Sequence, residues 1–386
     1  MSASQTESQR MHHIHQIVPS VKVYYKLNQL LISMPTKDNQ QDLIIVAVEY
    51  SNQKRYFLSL TFDELSKLLY YLEPCQRTLY EVLCQKKSNK LYFDFGVYIK
   101  NSFNLDVQES LLILQNLFHN VIANCVNQDS NNSTSFTDHF LVLSASTELK
   151  HSYHLIYTNT SVRFESQETI SHIIMVILQH YAHFIVTPSC QQQFPPLVNI
   201  NHQNDYLVYL QTTLSQTNFC NCAIPKTNIT CSNFEKLFYK NQDGSHQWVF
   251  DLHVYSKNQQ FRLYKSTKFG INNTLLPTSD FNFKRNYSHD ETINYNNIYH
   301  NYILNHSLIS YSSNYKDIII IPYNQNLWSI SNENKNYMID LSSTDHFNSL
   351  ILPNTCNYID LRIQLEFDNY YSSIVNIRIS TKQNIP

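Results

Sequence analysis

The chain has 386 residues, 28 Lys and Arg against 30 Asp and Glu, and a formal net charge of −2. That length provides for a two-module core, and the near-neutral balance excludes nucleic-acid binding through bulk positive charge, leaving only a local cationic groove. Three glycines exclude a glycine-rich phosphate loop, and eight cysteines scattered from position 75 to 356 form no disulfide framework and suit a reducing compartment.

Residues 1–20 are polar and His-containing, without the apolar centre of a secretory signal, and read as a flexible N-terminal tail. Apolar runs such as 43–48 and 318–321 are too short to span a bilayer, so no membrane association is expected. Residues 43–49 and 55–60 read as a hairpin turning at Ser51-Asn52-Gln53. Thr61-Phe62-Asp63-Glu64 is a capping box, and Leu65, Leu68, Leu69 and Leu72 continue it as a helical stripe that stops before Pro74. A strand follows at 90–96. A second helix is predicted from about Asp106, with Val107, Leu111, Leu114 and Phe118 inward. Strands come next at 140–143 and 151–157, then a helix over 170–181. The Asn-, Gln- and Thr-rich stretch 187–245, broken at Pro195-Pro196, reads as a divergent, partly flexible insertion. Near the end, 359–368 alternates apolar and polar residues as a half-buried strand.

Three strand-like segments combine a buried face with a polar one. In Lys90-Leu91-Tyr92-Phe93-Asp94-Phe95-Gly96, the two-residue period sets Leu91, Phe93 and Phe95 against Tyr92, Asp94 and Gly96. In residues 150–157, Ser152 and His154 share a face opposed by Tyr153 and Leu155. Residues 250–270 put Asp251 on an apolar-alternating strand, with Phe250, Leu252 and Val254 on its buried side, and after a turn a second strand-like run carries Arg262, Lys265 and Lys268. Carboxylates beside regularly spaced cations are what a metal–triphosphate requires, because the metal takes hard oxygen ligands and the phosphates take fixed positive charge. A solvated hairpin with ordinary surface charges has the same local pattern.

In this order the three segments resemble motifs I, II and III of the primase-polymerases of the archaeo-eukaryotic primase superfamily. The resemblance covers roughly residues 40 to 320, and its most specific part is Asp251 together with Val254-Tyr255 and Phe261-Arg262-Leu263-Tyr264-Lys265-Ser266-Thr267-Lys268. It implies an α/β (α+β) fold: a two-module catalytic core over 21–320, with antiparallel-rich sheets and flanking helices, and an extension over 321–386. It also implies template-directed nucleotidyl transfer, by a DNA polymerase and primase used in damage tolerance, translesion synthesis and repriming of stalled forks. Asp94 and Asp251 become the catalytic ligands of Mn2+ or Mg2+. Lys150, Ser152, His154, Arg262 and Lys268 become the grip on the nucleotide triphosphate. Arg55 falls on the template side, and Tyr80 against the sugar. Implied partners are single-stranded or primed DNA and nucleoside triphosphates, in the nucleus and mitochondrial matrix.

The chain departs from that pattern in several places. Gly96 stands where the family has a second motif I carboxylate, and Gln259 where it has an arginine. Gly96 keeps a second reading open, that of a catalytically inactive protein binding nucleotide and nucleic acid. No zinc knuckle or acidic tail for docking a single-strand-binding protein is recognisable after motif III. Cys220, Cys222, Cys231 and His246 have atypical spacing, so zinc is not expected. Asp94-Phe95-Gly96 also spells the kinase magnesium motif, but the other kinase motifs are missing.

Overall fold

The elements form where each apolar face finds a partner. A computed structural model describes residues 3–34, 43–84, 87–101, 105–125, 139–158, 162–171, 173–174, 231–240, 246–278, 295–311, 319–321, 360–368 and 372–380. In chain order these contain α1 (Ala3–Ile17), α2 (Leu27–Ser33), β1 (Ile44–Ser51), β2 (Lys54–Leu60), α3 (Phe62–Tyr71), β3 (Leu79–Val82), β4 (Tyr92–Tyr98) and α4 (Val107–Cys125). Then come β5 (Phe140–Ser144), β6 (Lys150–Tyr157), β7 (Val162–Phe164), α5 (Cys231–Glu235), β8 (Phe238–Lys240), β9 (His246–Trp248), β10 (Gln260–Arg262) and β11 (Leu276–Pro277). The last are α6 (Tyr295–Ser307), β12 (Ile319–Ile321), β13 (Asp360–Asp368) and β14 (Ser372–Ser380).

The expected α/β class, rich in antiparallel sheet with helices alongside, is the one adopted. Two four-stranded sheets form its centre, in the orders β10-β3-β1-β2 and β11-β5-β6-β4. All their pairings are antiparallel. The β1–β2 hairpin turns through Gln53, whose φ of 62° is left-handed. The inward residues of both sheets, among them Val46, Leu58, Phe93, Phe95 and Leu155, share one core.

Helix α3 begins as its sequence dictates. The Glu64 amide donates to the Thr61 hydroxyl at 3.3 Å, and the Thr61 amide donates to the Glu64 carboxylate at 2.9 Å. Leu65, Leu68, Leu69 and Leu72 are buried. Thr61→Ala is expected to destabilise the protein by about 1 kcal/mol, read by urea denaturation, since it removes one partner of this reciprocal cap. Helix α4 starts at the predicted place, with the Glu109 amide donating to Asp106 Oδ1 at 3.0 Å, and Leu111, Leu114 and Phe118 are buried.

Several expectations need correction. The polar N-terminus is a helix: Ile14 of α1 and the following Val18 are in the core, and the Arg10 guanidinium is buried, donating to the Glu49 carbonyl and to Thr78 Oγ1. A single Arg with sparse apolar residues ties this segment down, which polarity alone conceals. Of the predicted helix over 170–181, helical residues up to 174 are described, starting from the Ser166 hydroxyl that accepts the Thr169 amide. Of the expected insertion 187–245, residues 231–240 are described; they form α5 and β8 and bury Leu237 and Phe238. Cys220 and Cys222 lie outside the described residues, as do the side chains of Cys231 and His246. The expected strand at 359–368 is β13, paired with β14, and whether its side chains are half-buried likewise lies outside what is described.

Motif III is also not the strand pair expected. Phe250 makes a single bridge to Phe95, and Gly96 donates its amide to the Val249 carbonyl at 2.8 Å. The chain then turns at Asp251 into a 3-10 helix, Leu252–Tyr255, and reaches β10, which pairs with β3 in the other sheet. From there β11 returns to β5. Residues 249–277 therefore stitch the two sheets together. Two buried tyrosines hold the turn: Tyr92 donates its hydroxyl to the Val254 carbonyl at 2.7 Å, and Tyr255 donates to the Tyr92 carbonyl at 2.5 Å. Among the described residues no helix is long and apolar enough to cross a membrane.

Beneath the C-terminal end of α6 lies a buried polar clasp. Glu81 accepts the amides of Ile309 and Ser310, both at 2.8 Å, and the Ser310 hydroxyl at 2.7 Å. Lys90 donates to the carbonyls of Asn305 at 2.8 Å and His306 at 3.1 Å, while Arg163 donates to those of Ile309 at 2.8 Å and Tyr311 at 2.6 Å. Cationic side chains capturing the last carbonyls of a helix satisfy groups that have no partner within it.

Candidate functional site

Register alone puts the candidate residues on two faces. In β4 and β6, Asp94 stands opposite His154 and Gly96 opposite Ser152. Period two therefore gives these four residues one face of their sheet, as the sequence predicts. In the other sheet Arg262 stands opposite Tyr80, Tyr80 opposite Ala47, and Glu49 opposite Arg55. Arg55, Glu49, Tyr80 and Arg262 accordingly share a face too.

The motif III turn joins the carboxylates. Asp251 donates its amide to the Asp94 carbonyl at 2.8 Å, so the two acids are backbone neighbours across a distance of more than a hundred residues in sequence. The Asp251 carboxylate is exposed and accepts the His253 amide at 2.8 Å. Asp94 is recessed but retains 36% side-chain exposure. Its carboxyl is pushed up to about 6, first by desolvation and further by the Asp251 charge, against the pull of Lys150, Lys268 and Arg262.

The cations gather round Asp94. Lys268 is lowered by burial and then by its neighbours Arg262 and Lys150, and it also feels Asp94 and Glu49. Arg262 is lowered by burial, although Tyr80 and Asp94 oppose the shift; its guanidinium donates to the carbonyl and side-chain oxygens of Asn273 at 3.2 and 3.3 Å. Crowded cations of this kind are relieved by a bound polyanion. His154 is buried against Phe261, ring centroids 4.0 Å apart. Burial, followed by Arg262 and Lys268, holds it well below the usual imidazole range, so it is neutral. Its Nε2 lies 3.9 Å from Asp94 Oδ1, beyond hydrogen-bonding distance. Among the described residues its buried Nδ1 has no hydrogen-bond partner.

Arg55 and Tyr80 form a second cluster around a carboxylate that the motif reading does not identify. The Arg55 guanidinium lies 4.9 Å from the Tyr80 ring centroid and donates to Gln260 Oε1 at 2.6 Å. Tyr80 donates its hydroxyl to Glu49 Oε2 at 2.9 Å, and Arg55 Nη2 is 3.7 Å from Glu49 Oε1. Glu49 is buried. Its signal in sequence is faint: a lone acid after the apolar run 43–48, in step with Ala47. Lys268 links the clusters electrostatically, through its couplings to both Asp94 and Glu49. Gln259 accepts the Ser256 hydroxyl at 3.0 Å and adds no cation.

Asp94 and Asp251 are the residues that could hold a metal. Among the described residues no group of three or more His, Cys, Asp and Glu side chains is arranged as a metal cage. Two carboxylates, one raised first by burial and then by its neighbour's charge, suit a single hard divalent cation, which would take its remaining ligands from water and phosphate oxygens. A second ion finds no ligand on Gly96.

The titrating groups also predict a pH response. Burial pushes His119, His300 and His306 down to about 4 from 6.5. Their folded values lie below the unfolded one, so their stabilising contribution is present above pH 6.5 and is lost as pH falls through about 4. Asp94, raised from 3.8 to about 6, works in the opposite sense, one group against these three and His154, which is lowered in the same direction. Melting temperature is therefore expected to be lower at pH 4.5 than at pH 7, and replacement of His300 by Gln, which has no charge to take up, should narrow the difference.

Comparison with known proteins falls in line with this geometry. No protein-family model matches the chain. The DNA-directed primase/polymerase protein of Gallus gallus is 27% identical over 278 residues, which covers 65% of this chain and 46% of that protein. The protein of the same name from Danio rerio is 27% identical over 258 residues, covering 64% and 43%, and that from Mus musculus is 25% identical over 252 residues, covering 64% and 44%. The matched stretch spans less than half the length of these relatives, and over it the resemblance first read from the motifs holds: this chain is similar to DNA-directed primase/polymerase proteins.

Proposed function

We propose that this chain is a nucleotidyltransferase that extends a nucleic-acid strand on a DNA template, drawing on nucleoside triphosphates. The observation that carries the reading is the hydrogen bond from the Asp251 amide to the Asp94 carbonyl, which sets Asp251 beside Asp94, and Asp94 lies within the field of Lys150, Lys268 and Arg262. In the reaction, a primer 3′-oxygen forms a bond to the α-phosphorus of the nucleotide, and the bond from that phosphorus to the pyrophosphate oxygen breaks. A divalent cation, Mn2+ or Mg2+, supplies Lewis-acid stabilisation of the phosphate charge when bound, and Asp94 and Asp251 would hold it.

The protein's own groups divide the remaining work. Lys150, Ser152 and His154 grip the triphosphate, with neutral His154 donating one N–H without adding charge. Arg262 and Lys268 balance the charge that builds on the departing pyrophosphate. Tyr80, kept protonated by burial and by Glu49, faces the sugar, and Arg55 stands on the template side. The biological setting this reading carries is damage tolerance, translesion synthesis and repriming of stalled forks, in the nucleus and mitochondrial matrix, with single-stranded or primed DNA as partner.

Gly96 favours a second reading, a protein that binds nucleotide and primed DNA without chemistry. Extension of a labelled primer on a single-stranded template, with Mn2+ and all four deoxynucleotides, separates the two. Extension is expected. Tight binding of the primed template with no extension at micromolar enzyme would establish the inactive reading instead.

A further inference from the structure

The glycine at the centre of the site is not demanded by its backbone. Gly270 is the one glycine with positive φ among the described residues, so Gly96 has a conformation open to any residue. What Gly96 provides is room, and a lysine takes it. Lys150 stands opposite Tyr98, two pairs beyond Gly96–Ser152 on the ladder and so on the same face. Its side chain runs back over the strand: a Cβ added at Gly96 would lie 3.1 Å from Lys150 Cε and 3.2 Å from Nζ. The ammonium is also 5.2 Å from the Tyr98 ring centroid, which steadies it on that side. It therefore sits on the polar face shared with Asp94.

We propose that the Lys150 ammonium, packed over Gly96, takes the place of a second divalent ion, so that this site works with one cation on Asp94 and Asp251 and one fixed positive charge. The proposal rests on the nucleotidyltransferase reading and deepens it. An ammonium in that position repels a second divalent ion, and the glycine offers it no ligand. The same ammonium can neutralise phosphate charge without being recruited from solution. Gly96→Glu alone then does not rebuild a two-ion site, because its carboxylate meets Lys150 first and pairs with it.

The test is a Mn2+ titration of the full chain without nucleotide, read by loss of the free-ion electron paramagnetic resonance signal. The wild type is expected to bind one Mn2+, and Asp251→Ala none. Lys150→Met should tighten that single ion about tenfold or more, since a like charge leaves its vicinity. Gly96→Glu should still bind one Mn2+, and Gly96→Glu combined with Lys150→Met should bind two. Two ions on the wild type, or an unchanged affinity in Lys150→Met, would overturn the proposal while leaving an Asp251-dependent ion in place. No Asp251-dependent Mn2+ on the wild type would instead remove the reading of the two acids as a cation site. Lys150→Met removes no core contact, so it decides the matter even if the double variant fails to fold.

Discussion

Asp251→Ala is expected to lower Mn2+-dependent primer extension by at least about a thousandfold, with circular dichroism and chromatographic behaviour unchanged. A thousandfold corresponds to about 4 kcal/mol of transition-state stabilisation, the size of loss expected when one of the two proposed carboxylate ligands is removed. The structural cost is small by comparison. The Asp251 side chain is exposed, and within the protein it accepts the His253 amide. Losing such a cap costs about 1 kcal/mol. Its backbone amide, which ties it to Asp94, survives the substitution. Asp94→Ala should be equally inactive, and the pair combined no worse than either alone, because on the proposed reading both act through one ion. A variant of Asp251 that keeps a tenth of the wild-type rate would mean that the reaction does not depend on this pair of acids.

Glu81→Ala should destabilise the fold by about 3–5 kcal/mol, the range found when one member of a buried charged group is removed. Glu81 is almost wholly buried, 1% exposed, and receives the Ile309 and Ser310 amides and the Ser310 hydroxyl. Lys90 and Arg163 are buried beside it, 2% and 1% exposed. Burial, with Arg163 adding to it, drives Lys90 well below its ordinary range, and the Glu81 charge opposes that drop. Without the carboxylate two cations face each other out of water and two amides lose their acceptor. Glu81→Gln keeps the shape and part of the hydrogen bonding, so it should fall between wild type and Glu81→Ala in urea denaturation. Equal stability of Glu81→Ala and wild type would mean that the clasp contributes nothing net. The effect should reach catalysis only through the folded fraction, since Glu81 points away from Asp94: it is the neighbour of Tyr80 on β3 and so lies on the other face.

The local elements were readable wherever one short-range rule decided them. Thr61 and Glu64 announce α3, Asp106 announces α4, and the alternation around Asp94 and around Ser152 and His154 assigns each its face before any coordinate is known. The rule failed where a distant partner overrode it. Asp251 looks like a strand residue because Phe250, Leu252 and Val254 alternate, yet two tyrosine hydroxyls bonding backbone carbonyls bend the chain into a 3-10 turn there. Residues 3–17 look like a solvated tail because their apolar content is low, yet Arg10 and Ile14 secure them as a helix. Glu49 was invisible as a site residue because its importance comes from Tyr80 and Arg55, which only the sheet brings beside it.

By itself, then, the sequence determined the chemistry available: which segments carry acids, which carry cations, and which face of each strand they occupy, since side-chain alternation is a property of any extended backbone. Tertiary structure alone decided which of these groups meet. The crossing of residues 249–277 from one sheet to the other makes Asp251 a neighbour of Asp94, and the vacancy at Gly96 becomes a berth for Lys150 only because β4 and β6 pair in one particular register. Strand registers and crossings are set by the summed burial of many side chains far apart in the chain, so no local window of residues contains them.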